Sequence, residues 1–334
     1  MTTSTDVSSG QPGTQPAESH PDRLPYPIGV APRKILWPYA ISNTVYHLLA
    51  LLAFLPWFFS WTGVVLAWLG LNIFGTLGIN LCYYRLLTHQ GLKVPRWLEY
   101  TLAVLGVCCL QDTPARWIAI HRKHHQHSDE QPDPHSPLVT FLWGHMGWLL
   151  VENREVNNIA TYEKYARDIL RDHFYFALEK NFLWLWINLA QGVLFYLAGL
   201  AIGWATTGQY LEGVRFGLSL LVWGVFVRTV AVWHITWSVN SVTHMWGYRN
   251  YDTDENSKNN WLVGIVSNGE GWHNNHHAEP RCAAHGHRWW ELDVTYRTIR
   301  FLQRVGLAKD VVMPSEKLLK KLAAGKVMAT EKGW

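Results

Sequence analysis

Four long apolar stretches constrain this chain more than anything else in it. They run from about Leu36 to Phe59, Val64 to Cys82, Phe182 to Gly203 and Phe216 to Val239. A bilayer hydrocarbon core of about 30 Å takes about 20 helical residues, so each stretch is long enough to cross one. The mean hydropathy of −0.05 looks soluble, but it averages these stretches with polar flanks. Only 16% of residues are charged, against roughly 25% in soluble domains. That deficit and a net charge of +4 disfavour a disordered chain, a coiled coil or a nucleic-acid binder.

Residues 1–30 are rich in Ser, Thr, Pro, Gly and Gln and read as a disordered tail. No basic start followed by an apolar core marks a signal peptide there. The first two stretches are joined by the uncharged Ser60–Gly63. The last two are joined by a short segment whose charges are Glu212 and Arg215. Arg23, Arg33 and Lys34 precede the first stretch, and Arg85, Lys93, Arg96, Arg116, Arg122 and Lys123 follow the second. By the positive-inside rule both termini and segment 83–181 are expected in the cytoplasm. The expected fold is an all-α, multi-pass integral membrane protein. Its four transmembrane helices form two hairpins beneath a cytoplasmic helical cap within residues 31–306, and 307–334 are a tail.

A fifth apolar stretch, Leu98–Leu110, is too short to span and fits an interfacial or cap-packed position. Arg228 and His234 interrupt the fourth span. They are either satisfied by neighbouring helices or line a path to a site. The four Cys (Cys82, Cys108, Cys109, Cys282) form no CxxC pair, and reduced thiols are expected.

Seventeen His are the second anomaly. His89 follows the second stretch. His121-Arg-Lys-His124-His125 and His273-Asn-Asn-His276-His277 repeat one spacing, and Asn240 precedes His244 by four residues at the end of the fourth stretch. Helical spacing puts positions i, i+3 and i+4 on one face, so each triplet is expected to converge on one point. Imidazole suits Fe, Zn and Cu alike, and eight His exceed what one ion takes, so two ions are expected. A soluble carboxylate di-iron bundle needs two Glu-x-x-His strings. One occurs, Glu270-Gly-Trp-His273, in glycine-rich surroundings that make poor helix.

With these motifs, and with DPHSP at 133–137, HMGW at 145–148 and RWWELD at 288–293, the chain from about 70 to 300 resembles the membrane fatty acid desaturases of the acyl-CoA/acyl-lipid delta-9 type, the stearoyl-CoA desaturase-like family. The resemblance implies two Fe ions held by nine His and an Asn-linked water, with O2 as co-substrate. The matching positions are His89, His121, His124, His125, His244, His273, His276 and His277, with Asn240 for the water. Where the family's first box has its leading His, this chain has Tyr84. Three readings stay open: a phenolate ligand as in catalase, an open or water-filled position, or an impaired centre. His127, His135, His145, His285 and His287 resemble flanking residues. They, Asp129, Asp133 and Glu270 are candidates to hydrogen-bond the ligands. His20 and His47 show no role.

The implied activity is O2-dependent insertion of a cis double bond, delta-9, into a saturated acyl chain carried on CoA, a lipid or a carrier protein. A lipid hydroxylase of the same type is the alternative. Regiochemistry then calls for an apolar tunnel, with Trp68 and Asn72 as candidate substrate-contacting residues. The chain has no flavin or haem motif, so two electrons come from a separate ferredoxin-like or cytochrome b5-like donor. Arg85, Arg116, Arg122 and Lys123 are candidates to receive that donor or the acidic head of an acyl carrier. A metal transporter would instead put its ligands inside several spans, and a dead membrane scaffold is the remaining alternative.

Overall fold

The computed structural model describes residues 23–324, so the tail expected over 1–30 lies mostly outside the described residues. Its last part is tied down. Leu24 N–H donates to Leu138 O and Arg23 Nε to Val139 O. Strand β1 (Val30–Ile35) then pairs antiparallel with β2 (Val151–Asn153). The other regular elements among the described residues are helices.

Among the described residues, three helices are long and apolar enough to cross a membrane: α2 (Trp61–Thr88, 28 residues), α5 (Leu183–Thr207, 25 residues) and α6 (Tyr210–Met245, 36 residues). The first apolar stretch forms a shorter helix, α1 (Trp37–Leu51), followed by a 3-10 turn, Leu52–Phe54. The fourth stretch is longer than expected. Helix α6 begins at Tyr210, two residues after the left-handed Gly208 (φ 71°), so most of the expected linker is helix.

Glycines set how closely these helices approach. Gly199 and Gly203 of α5 face Gly217 and Gly213 of α6. A Cβ on Gly199 would stand 2.7 Å from Gly217 Cα, and one on Gly203 would stand 2.9 Å from Gly213 Cα. This is small-residue packing on two GxxxG spacings. Helix α3 (Arg96–Val107), the fifth apolar stretch, packs on α2 in the same way. A Cβ on Gly78 would lie 2.4 Å from Gly106 N. So that stretch lies beneath the histidine-bearing part.

Helix α2 widens after Gly70 into π geometry over Leu71–Thr88, and shorter π turns occupy Trp143–Gly147 and Val222–Val227. Such turns recur at functional sites. Arg228 is fully buried in α6 and fully engaged. It donates to Gly224 O, Cys108 O and Gln191 Oε1 at 2.9–3.0 Å and lies over the Phe74 ring. It is a packing residue satisfied by neighbouring helices. The four cysteines are free and buried.

Above the helix ends, α4 (Pro114–Gln126) and α7 (His273–Ala278) carry the two histidine triplets. The segment expected to be a tail from 307 is anchored as far as Ser315, whose N–H donates to Glu279 Oε2. Lys93 and Lys309 exchange backbone hydrogen bonds at 2.8 Å, and Val312 N–H donates to Gly91 O.

Candidate metal centre

Each element delivers its histidines for a local reason. The wide turn at the end of α2 closes with His89 N–H on Tyr84 O, a five-residue bond. In an α-helix five residues would leave the two side chains about 140° apart. The π turn brings them together instead, with ring centroids 5.3 Å apart and the planes tilted by 54°. Helix α4 starts on Pro114, whose missing N–H is no loss at that position. Helix α6 ends one residue after His244.

Eight histidines gather as two groups of four. His89, His121, His125 and His276 form the first; His124, His244, His273 and His277 form the second. Within each group the facing nitrogens all lie within 4.8 Å. The expectation that each triplet converges on one point is therefore corrected. His121 and His125 go to the first group, and His124 goes to the second. In α7 the assignment is reversed: His273 and His277 go to the second group, and His276 to the first. The physical reason is angular. One turn brings i and i+4 together, whereas the i+3 side chain falls about 60° short of a full turn and faces the neighbouring group.

The contacts inside each group are between Nε2 atoms. His121 faces His89 at 3.2 Å and His125 at 3.1 Å, and His125 faces His276 at 2.9 Å. His273 faces His244 and His277, each at 3.1 Å. An Nε2 offers one proton or one lone pair. His121, His125 and His273 each face two such atoms and cannot satisfy both by hydrogen bonding. A cation between the lone pairs resolves the conflict, so the donor set fits a metal in each group.

Carboxylates fix the tautomer at two positions. His124 Nδ1 is 3.0 Å from Asp133 Oδ2, and its Nε2 is buried with no hydrogen-bond partner. His244 Nδ1 is 2.8 Å from Asp129 Oδ2. A carboxylate on Nδ1 turns the Nε2 lone pair toward the metal position. Burial first, then the neighbouring rings, hold His89, His121, His125, His273, His276 and His277 well below the ordinary imidazole pKa. Burial and His244 push His124 down to about 3. Neutral imidazole is the metal-binding form; His244 is the exception, raised to about 9 against its burial by the Asp129 carboxylate, so a metal there displaces its proton.

Tyr84 lies beside the first group. Its ring lies 4.5 Å from His121 and 4.9 Å from His276, and its hydroxyl is buried without a partner. Behind it, buried Arg85 bridges Glu270 (2.7 Å) and Asp293 (3.0 Å), and Glu270 Oε2 is 2.8 Å from His285 Nδ1. His285 packs on His276 and His135 on His124, whereas His287 bonds the Tyr251 hydroxyl.

A cavity of about 530 Å³ opens beside the first group. Tyr84, His121 and Asn240 line it together with apolar residues that include Ile79, Leu189 and Trp233. Gln111 crosses its wall to Thr236 Oγ1 at 2.9 Å, a contact that no spacing pattern in the sequence signals. Trp68 and Asn72 are not on this wall. Trp68 is 65% exposed on the outer face, and Asn72 bonds Asn268. The α2 residues that reach the cavity, Ile79, Asn80 and Tyr84, lie at least a helical turn nearer the histidines. The four cations expected to receive a carrier or donor are engaged internally. Arg85 is buried as described. Arg116 pairs with Asp112, Arg122 with Asp168, and Lys123 donates to Glu155 O. His20 lies outside the described residues.

Comparison with known proteins agrees with this centre. The fatty acid desaturase family profile matches residues 59–304. The chain is 43% identical over 284 residues to a sn-2 palmitoyl-lipid 9-desaturase of Nostoc sp., covering 84% of this chain and 91% of that one. It is 41% identical over 280 residues to a sn-1 stearoyl-lipid 9-desaturase of Synechocystis sp., covering 84% and 81%. It is 36% identical over 310 residues to an acyl-CoA C20 Delta5-desaturase of Anemone leveillei, covering 90% and 93%. With eight histidines in two metal-ready groups and a family match over most of its length, the chain belongs to the fatty acid desaturase family.

Proposed function

We propose that this oxidoreductase inserts a cis double bond at the delta-9 position of a saturated acyl chain esterified to a membrane lipid. The observation that carries this reading is the cavity, where apolar walls meet His121 and Asn240 of a histidine centre. A methylene pair offers no polar handle, so the walls must fix which carbons face the centre. The lipid carrier and the delta-9 position follow the Nostoc and Synechocystis relatives.

Each histidine group would hold one Fe ion, with Tyr84 offering the first group an oxygen donor and Asn240, one turn before His244, offering the second a water. With O2, a pair of irons supplies an oxidant strong enough to take hydrogen from an unactivated C–H bond. The balanced reaction joins –CH2–CH2–, O2, two electrons and two protons to give –CH=CH– and two waters. The electrons come from a separate one-electron carrier of ferredoxin or cytochrome b5 type. Asp129 and Asp133 keep His244 and His124 in the ligating tautomer, and the cavity walls exclude bulk water.

In the membrane, α1 is the fourth crossing. Its outer face carries exposed Ile41, Val45, Leu48 and Leu51 at helical spacing, which suits lipid. The α1–α2 and α5–α6 hairpins then place the histidine cap and both termini on the cytoplasmic side.

Expression in a host lacking its own desaturase, followed by fatty-acid analysis, tests the reading. New delta-9 monounsaturated chains are expected, and none with His121→Ala. Wild type and His121→Ala giving the same lipids overturns it.

A further inference from the structure

The cavity beside the first histidine group reaches the flank of the molecule. Its wall includes one side of α1, with Tyr39, Ser42 and Tyr46, and one side of α5, with Leu185 and Leu189. The spacings i, i+3, i+7 and i, i+4 put each set on one face of its helix. Some of these wall residues also meet the outside. Leu185 is 37% exposed and Leu189 is 50% exposed. Pro38, which precedes Tyr39 on the wall, is exposed too. A residue that lines a cavity and is also open to the surroundings stands on its rim, so the cavity opens between α1 and α5.

Each of the two helices is held by a third element. The Tyr46 ring of α1 lies 5.3 Å from Phe226 and 5.4 Å from Trp233, both in α6. In α5, Asn188 donates to Val107 O and Gln191 to Cys108 O.

The rim lies at membrane depth. Helix α5 is long enough to span and starts at Leu183, and α1 starts at Trp37. At 1.5 Å per residue, Leu189 lies about 9 Å and Tyr46 about 14 Å beyond those starts. Both depths fall within one leaflet of a hydrocarbon core about 30 Å thick. In the topology proposed above, both helices start on the cytoplasmic side, so this is the cytoplasmic leaflet.

The polarity of the opening is graded as a lipid is. Leu185 and Leu189 are apolar. Toward the cap, Tyr39 donates to Asp112 Oδ1 at 2.5 Å and Arg116 Nε to Asp112 Oδ2 at 3.1 Å, and all three line the cavity. Glu179 Oε1 and Asn43 Oδ1, on the same wall, are buried without a partner. Each can take a hydroxyl or water donor from the ester and headgroup region of a lipid.

We propose that the gap between α1 and α5 is a lateral portal. An acyl chain still esterified to a membrane diacyl lipid slides through it from the cytoplasmic leaflet toward Tyr84 and His121, while the second chain stays in the bilayer against Leu185 and Leu189. It rests on the desaturase reading and the topology given with it. Two chains anchor a lipid stably in the bilayer, so a substrate of this class reaches the centre from the flank and not from water.

Photolabelling tests the route without turnover. The protein is placed in nanodiscs that contain a phosphatidylcholine or a galactosyl diacylglycerol with a diazirine midway along one acyl chain. Label is expected on cavity residues such as Leu110 and Trp233, and on outer-face residues such as Leu194. Leu189→Trp and Leu185→Trp fill the rim. Both are expected to lose the cavity label and keep the outer one, which shows a folded, embedded protein. Ile41→Trp, on the lipid-facing side of α1, is expected to keep both labels. Three results overturn the portal: no cavity label in wild type with either lipid, cavity label unchanged in both rim variants, or its loss in Ile41→Trp as well. A labelled cavity in a protein that makes no double bond supports the portal, and that failure falls on the desaturase reading alone.

Discussion

His124 and His125 are consecutive residues that belong to different metal-ready groups. Their rings stand 5.6 Å apart at 69°. His125 faces His276 of the first group, and His124 faces His244 and His277 of the second. The triplet in α7 mirrors this, so each triplet binds both groups together. His125 and His277 stack at 4.4 Å where the groups meet.

Single alanine substitutions should therefore sort by group and not by motif. His125→Ala and His276→Ala are expected to lose the first iron, and His124→Ala and His277→Ala the second. Each should fall from about two irons per chain to about one, with desaturation lost in all four. Elemental analysis of purified protein reads this out. Loss of both irons from every variant would argue for one shared cluster.

The carboxylates behind the ligands make a second prediction. Asp133 lies at the Nδ1 of His124, and Asp129 at that of His244. Asp133→Asn keeps the size but removes the charge that orients the ring. It should weaken iron binding to the second group by roughly 10–100-fold while sparing the first. Competition with a graded chelator measures it. Equal loss from both groups would show that Asp133 supports the fold more than the tautomer.

Much of the centre was legible in the sequence. The histidine spacings, the approach of two apolar helices to His89 and His244, and Asp129 and Asp133 as partners are all pattern-level features. The division of each triplet was not, because i+3 and i+4 differ by one residue's rotation, and their targets depend on how α4 and α7 face each other. The pairing of Tyr84 with His89 depends on the π turn, which changes no residue type. Arg85, Arg116, Arg122 and Lys123 read as a basic surface, but their acidic or carbonyl partners lie as much as 208 residues away in the chain.

Acid should destabilise the metal-free protein. An unfolded histidine titrates near pH 6.5, whereas His124 in the fold titrates at about 3 and the six others lie well below their ordinary value. Below pH 6.5 the unfolded chain binds more protons than the folded one. Stability is present above that pH and is lost as pH falls toward the folded values. Each such histidine contributes up to about 1.4 kcal/mol per pH unit. Thermal melts of metal-free protein at pH 7, 6 and 5 should show a steep fall in Tm. A flat or rising series would mean that these rings are solvated.

Tyr84 is where the chain departs from the family's first histidine box, and its chemistry is visible. The hydroxyl is buried, lacks a hydrogen-bond partner and lies among His89, His121 and His276. A neutral phenol left there would cost about 1–3 kcal/mol of unmet desolvation. Coordination to iron as phenolate removes that cost and produces a visible charge-transfer band. Iron-loaded wild type should be coloured, and Tyr84→Phe should lose the band while keeping the second group's iron. Tyr84→His should lose the band and keep both irons, because a ninth imidazole replaces the oxygen. A colourless iron-loaded wild type would mean that the phenol does not bind iron. In that case Tyr84→Phe should leave the iron content of the first group unchanged, and the effect of Tyr84→His on turnover would measure what a ninth histidine adds.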